Sequence, residues 1–156
     1  MGVKVAKFGG SSVADASQFR KVEAIVRSDP QRSVVVVSAP GKRTPDDAKI
    51  TDLLYKCHDC ARDGMPFDRT FETVADRYRG NVEDLNLAID IDRDLESVQD
   101  GIALGTTSDY AASRGEYLNA KIAASLLGSE FVDAAEIIRF DANGNLQIEE
   151  TVAAVA

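Results

Sequence analysis

The sequence has no tryptophan, one histidine and two cysteines among 156 residues. Cys57 and Cys60, three positions apart, cannot build a disulfide framework. That usage points to a cytoplasmic chain. The run Cys57-His58-Asp59-Cys60 offers at most three ligands on one helical turn, and no second cluster exists. Structural zinc wants four ligands, so no resident metal is expected; Cys57 reads as core and His58 as exposed. With a single histidine, no pattern supports a histidine-based nucleophile triad. Positive charge is also scarce: 18 Lys and Arg stand against 26 Asp and Glu, for a net −8. Binding a nucleic-acid duplex needs a basic footprint to displace counterions, so nucleic acid is not the expected partner. The longest aliphatic run, Val152 to Ala156, is five residues, against the roughly 20 that span a bilayer, so no membrane segment is expected. The opening Met1-Gly2-Val3-Lys4 lacks an apolar signal core, and Ala6 breaks the myristoylation pattern.

What is present is ordinary for a folded protein. The chain is 44% hydrophobic and 28% charged, which argues against disorder and suits one domain. Val3 to Phe8 reads as a strand stopped by Gly9-Gly10. A helix follows, with Phe19, Val22, Ile25 and Val26 on one face, ended at Asp29-Pro30. Ser33 to Ser38 holds Val34-Val35-Val36-Val37, apolar on both faces, as in an interior parallel strand. Strand, helix, strand makes one βαβ unit with a right-handed crossover. The fold class expected is α/β, a three-layer α/β/α sandwich with a mainly parallel sheet.

Helical spacing then recurs in Ile50, Leu53, Leu54, Cys57 and Ala61, and again in Phe67, Phe71, Val74, Ala75 and Tyr78. Gly80 is expected to interrupt the latter helix, Leu85 to Val98 to form another, and residues 101–107 to be flexible. Ser108 to Leu127 is a helix with Gly128 as left-handed cap. Glu130 to Ala134 and Glu136 to Phe140 read as strand pieces, and Asp141 to Asn145 as a hairpin turn. From Glu149 the pattern turns helical again.

Three stretches could carry chemistry. Lys7-Phe8-Gly9-Gly10-Ser11-Ser12 lies between strand and helix. Glycines there let backbone N–H groups approach an anion, with Lys7 adding a mobile charge and the serines hydroxyl donors. It matches neither a Walker loop nor a dinucleotide fingerprint, and it reads equally as a tight turn with a serine cap. Ser38-Ala39-Pro40-Gly41-Lys42-Arg43 falls on the same sheet edge, as parallel strands require, with Lys42 and Arg43 in a solvated loop. Thr51, in the helix that follows, is either an N-cap or a substrate-facing hydroxyl. Ser113-Arg114-Gly115-Glu116-Tyr117 places glycine inside a helix, which costs about 1 kcal/mol and implies close packing or ligand approach.

Together, Lys7-Phe8-Gly9-Gly10-Ser11-Ser12-Val13, Val35-Val36-Val37-Ser38-Ala39, Thr51-Asp52-Leu53-Leu54 and Ser113-Arg114-Gly115-Glu116 resemble the aspartate kinases of the amino-acid kinase family. Glu130-Phe131-Val132-Asp133-Ala134 is similar to the family strand that follows the glutamate helix. The resemblance implies ATP-dependent phosphorylation of the L-aspartate side-chain carboxylate, with Mg2+ held largely by the nucleotide phosphates. It implies that Lys7 balances charge on the transferred group, that Gly9, Gly10 and Ser11 hold the ATP phosphates, and that Ser38 lines the same site. Thr51 and Glu116 would bind aspartate, with Glu116 pairing the ammonium. Such a division of labour suits phosphoryl transfer, which needs positioning and charge neutralisation more than a covalent catalyst.

The resemblance also implies parts that this sequence does not carry: a second catalytic half with most adenine contacts, and regulatory ACT domains. Residues 1–156 are therefore expected to be the amino-terminal portion of a catalytic domain, inactive in isolation. A homo-oligomer is left open. Two rival expectations stand beside this one: another amino-acid kinase family enzyme, and a non-catalytic half that needs a partner chain.

Overall fold

The computed structural model describes residues 2–155. Met1, the start of the opening tetrapeptide, and Ala156, the end of the aliphatic run, lie outside them. Two strands, β1 (Val5–Phe8) and β2 (Val34–Val37), pair in parallel with Val5 opposite Val34 and Phe8 opposite Val37. Between them come a 3-10 turn (Gly10–Val13) and helix α1 (Ala16–Arg27). The βαβ unit is as expected. Asp15 caps α1 by accepting from the Gln18 amide. Phe19 and Val22 are buried and Val26 packs behind them, but Ile25 falls off this stripe into solvent.

Parallel register puts Ala6, Phe8, Val35 and Val37 on one face of the pair, and Val5, Lys7, Val34 and Val36 on the other. The first face packs on the helical core. Val5, Val34 and Val36 on the second are exposed, because no described element covers them. The valine run thus has the composition of an interior strand and the surroundings of a half-covered one. A groove of about 330 Å³ runs between β2, the last long helix and residues 129–132.

Beyond β2 the chain is helical: α2 (Ile50–Arg62), α3 (Asp68–Asp84), α4 (Ile91–Ala103) and α5 (Ser108–Leu127). Ile50, Leu54, Cys57, Phe71, Val74, Tyr78, Leu95, Ile102, Leu118 and Ile122 meet in one core. Burial pushes the Cys57 thiol up to about 12, so that sulfur is an inert core atom. His58 is only 14% exposed, against the expectation, and its Nε2 lies 3.1 Å from the Thr106 carbonyl oxygen. Its helix turns it toward the α4–α5 connection rather than to water.

Gly80 does not interrupt α3, since an open position on a helix tolerates the missing side chain. The break comes at Leu85–Asp90 instead. Asn86 takes the left-handed region at φ 54°, which asparagine adopts more readily than most residues. Asp90 then caps α4 by accepting from the Arg93 amide. Residues 101–103, expected in a flexible stretch, belong to α4. Helix α5 matches its expected bounds; Thr107 caps its start and Gly128 at φ 66° ends it.

The expected strand pieces after α5 are not strands among the described residues. Residues 131–133 attach to α5 by side chains rather than by a ladder. The Phe131 ring sits edge-on to Tyr117 at 5.4 Å, and Lys121 lies over both rings. Asp133 meets Arg114 at 3.6 Å and also caps a single helical turn, α6 (Ala134–Ile137). The hairpin turn is present: Asp141 Oδ1 accepts from the amides of Asn143 and Asn145, and Phe140 bridges antiparallel to Leu146. Helix α7 (Ile148–Val155) follows, with no buried residue. Among the described residues no helix is long and apolar enough to cross a membrane.

Candidate active site at the strand ends

Parallel strands end on one edge, so the segments leaving β1 and β2 lie side by side. The Ser38 amide donates to the Phe8 carbonyl at 3.0 Å, and the Gly41 amide donates to the Gly10 carbonyl at 2.8 Å. A Cβ on Gly41 would stand 2.6 Å from the Gly10 carbonyl carbon and 2.7 Å from the Ser11 nitrogen. The two loops therefore touch backbone to backbone, a contact that only glycine admits. Gly9 differs. Its φ of −76° suits any residue, and a Cβ there would meet nothing within 4 Å. Nothing inside the chain demands glycine at that position.

Helix α5 reaches the same edge. A Cβ on buried Gly115 would lie 2.9 Å from Ala39 Cβ and 3.5 Å from atoms of Ile50 and Leu54. This close approach accounts for glycine inside the helix and brings α5 against both the β2–α2 loop and the start of α2. One turn later Asn119, fully buried, donates from Nδ2 to the Ser38 carbonyl at 2.7 Å. Its Oδ1 has no partner.

Helix α3 braces these parts from below. Buried Arg77 donates to the Gly41 carbonyl at 2.7 Å, to Asp47 at 2.8 Å and to the Ala14 carbonyl at 3.4 Å. Desolvation, then the nearby charge of Arg43, pulls its guanidinium below the usual arginine range. Asp47 is also gripped by Arg43, whose side-chain hydrogen bond is the main reason its carboxyl falls to about 2. Next in sequence, Tyr78 is fully buried and donates its hydroxyl to the Gly115 carbonyl at 2.8 Å. Burial raises the Tyr78 phenol well above its ordinary value, with the Glu116 carboxylate adding to it.

The structure brings the backbones of Gly10, Ser11, Ser38 and Gly115 to one edge, with Thr51 beside Ile50 in the first turn of α2 and Glu116 beside Gly115. Lys7, Ser11 and Glu116 are exposed, and Ser38 and Thr51 half-buried. Thr51 is not the α2 cap; Lys49 holds that position. Lys7 leaves the open face of the strand pair, opposite the face that packs on the helices. Among the described residues no hydrogen bond or ion pair joins Lys7, Thr51 and Glu116 to one another. Arg77, Tyr78 and Asn119 were missed from sequence. The one signal available for Asn119 was a polar residue four positions after Gly115, on the buried side of a helix.

These features define an α/β protein that brings two glycine loops and Gly115 of α5 together at the carboxyl ends of parallel strands, where open sheets bind ligands. The chain belongs to the amino acid kinase family, whose model matches residues 2–154. It is 36% identical to aspartokinase 3 of Bacillus subtilis, over 94% of this chain and 35% of that protein. With the chloroplastic aspartokinase 1 of Arabidopsis thaliana it shares 30% identity, over 97% of this chain and 29% of that one. Among solved structures, the aspartate kinase of Clostridium acetobutylicum superposes with a TM-score of 0.97 at 48% identity, covering 99% of this chain and 36% of that one. E. coli aspartokinase III in complex with aspartate and ADP, at 24% identity and TM-score 0.78, shares the fold over 98% of this chain and 36% of that one. The chain spans about a third of the length of the relatives it matches.

Proposed function

We propose that this chain supplies the phosphate cradle and the amino-acid-binding carboxylate of an aspartate kinase, which transfers the γ-phosphoryl group of ATP to the side-chain carboxylate of L-aspartate. One observation carries the reading: two glycine loops and the Gly115–Glu116 stretch meet at one strand edge, and Gly9 is a glycine that no internal contact requires. A backbone left bare there suits close approach of phosphate oxygens. In this reading Gly9, Gly10 and Ser11 hold the ATP phosphates, Ser38 lines their flank, and exposed Lys7 is free to reach the transferred group. Glu116 accepts the aspartate ammonium, with Thr51 beside it.

In this reading magnesium would be held largely by the nucleotide phosphates and would supply charge neutralisation at the transferred group. Among the described residues no group of three or more His, Cys, Asp or Glu could hold an ion. The reading includes a cytoplasmic location, in keeping with two free cysteines. By itself the chain is expected to turn over poorly. The resemblance places most adenine contacts in a second catalytic half, and each charge-stabilising contact supplied there is typically worth about 10²–10³ in rate.

The test is an ADP-release assay with Mg-ATP and aspartate, run on this chain and on any longer product of its gene. Activity in the longer product that falls by about 10²–10³ on Lys7→Ala supports the reading. Phosphorylation of glutamate or carbamate in preference to aspartate would replace it with another reaction of the family.

A further inference from the structure

Helix α3 lies outside every motif that suggested a function, yet two adjacent residues on it reach both sides of the candidate site. Arg77 turns to the glycine loops. Its guanidinium bridges the Ala14 carbonyl, the Gly41 carbonyl and Asp47, so one buried group ties the segment after β1 to the segment after β2. The Gly41 amide held between them is the one bonded to Gly10. Tyr78 turns to α5, where its hydroxyl bonds the carbonyl of Gly115, the residue before Glu116. Both side chains are buried, at 6% and 0% exposure, so neither can touch a ligand itself.

We infer that Arg77 and Tyr78 are a pair of positioning residues that set the distance between the phosphate-holding glycine loops and the Glu116 carboxylate. The inference rests on the aspartate kinase reading for what the two sides bind. The physical reason lies in rigidity. Phosphoryl transfer tolerates little error in the separation of donor and acceptor, and small misplacements from remote substitutions cost large factors in rate. Adjacent residues on one helix turn move together, so a shift of α3 displaces both half-sites in concert. A bond from each to a backbone carbonyl, rather than to a mobile side chain, transmits that placement directly to the chain.

The pair predicts a split that a general loss of stability would not produce. Arg77→Met keeps the aliphatic stem and removes the fork, so it should weaken binding of Mg-ADP about tenfold while leaving aspartate binding within about twofold. Tyr78→Phe keeps the ring and removes only the hydroxyl, and should do the reverse. Isothermal titration of each ligand into wild type and both variants gives the comparison. Amide hydrogen exchange, read in the same proteins, follows the two sides without any ligand. Gly41 should exchange faster only in Arg77→Met, and Asn119, one helical turn after Gly115, only in Tyr78→Phe. Equal weakening of both ligands by both variants, or exchange that changes everywhere alike, overturns the pair and leaves ordinary core residues. The functional reading fails instead if the longer product of the gene binds neither ligand, and where residues 1–156 alone bind neither, the exchange pattern decides the positioning role.

Discussion

The strand-end edge and the segment after Gly128 are built on opposite plans. At the edge, buried polar groups are answered across the chain, with Asn119 Oδ1 the exception. Arg77, Tyr78 and Asn119 each bond a backbone carbonyl across at least 36 positions of sequence. After Gly128, apolar groups are exposed and unanswered: Val132, Phe140, Leu146, Ile148, Val152 and Val155 all face solvent. The contrast teaches that apolar content alone does not place a segment in a core. Burial needs a surface of matching shape, and within the described residues only the first 128 positions supply one to each other. The second region holds its form through local devices instead, chiefly the Asp141 turn and the attachment of Phe131 to Tyr117.

The sharpest test of that contrast pairs two isoleucines. Ile122 is fully buried and Ile148 is 66% exposed. Ile122→Ala should lower unfolding free energy by about 3–4 kcal/mol, whereas Ile148→Ala should change it by less than about 0.5 kcal/mol. Urea denaturation of the two variants measures both. A large loss at Ile148 would show that α7 is packed in solution, and the contrast would fail.

A smaller effect is expected from Gly41→Ala. The new methyl group would collide with backbone atoms of Gly10 and Ser11, which cannot rotate away. Forcing the loops apart should cost about 2 kcal/mol and release the Gly41 amide to exchange. Gly9→Ala meets nothing and should leave stability within about 0.5 kcal/mol, while weakening nucleotide binding if phosphate approaches there. The pair of alanines thus separates a glycine required by the fold from one available to a ligand.

The smallest effect concerns pH. The Asp47 carboxyl is held at about 2, well below the ordinary aspartate value, chiefly by hydrogen bonding from Arg43. A depressed carboxylate contributes stability that is fully present above its unfolded value and lost as pH falls through the folded value. Stability should therefore decline between about pH 5 and pH 2, with Asp47 responsible for about 1 kcal/mol after allowance for solvent screening. Asp47→Asn should flatten that part of the profile. Asp141 in the second region also has a lowered value, from the Asn145 side chain and turn amides, but it sits in a surface turn close to water and should alter the profile less.

Much of this molecule was readable from neighbours in sequence. The βαβ opening, the limits of α5 and the Asp141 turn depend on residues within a few positions of one another, and pattern captures such contacts. The misreadings have a common cause. Gly80 reads as a helix breaker and residues 85–98 read as one helix by pattern, whereas the decisive residue is Asn86 with its positive φ. The strand after α5 was inferred from composition, and aromatic and ionic contacts with Tyr117 and Arg114 took its place.

The site divides the same way. Lys7, Gly9, Gly10, Ser11, Ser38, Thr51 and Glu116 could be named from motif and resemblance, because each lies in a short run whose residue types are unusual together. By itself, then, the sequence determined the order of elements as far as α5, the parallel opening, the glycine positions and the family. Only the tertiary structure decided that Gly41 presses on Gly10, that Gly115 presses on Ala39, and that α3 braces both through Arg77 and Tyr78. It also decided that half of the valine strand stays bare. The reason is physical: propensity and periodicity act along the chain over a few residues. Close backbone approach and buried hydrogen bonds act across it, between residues that no local pattern connects.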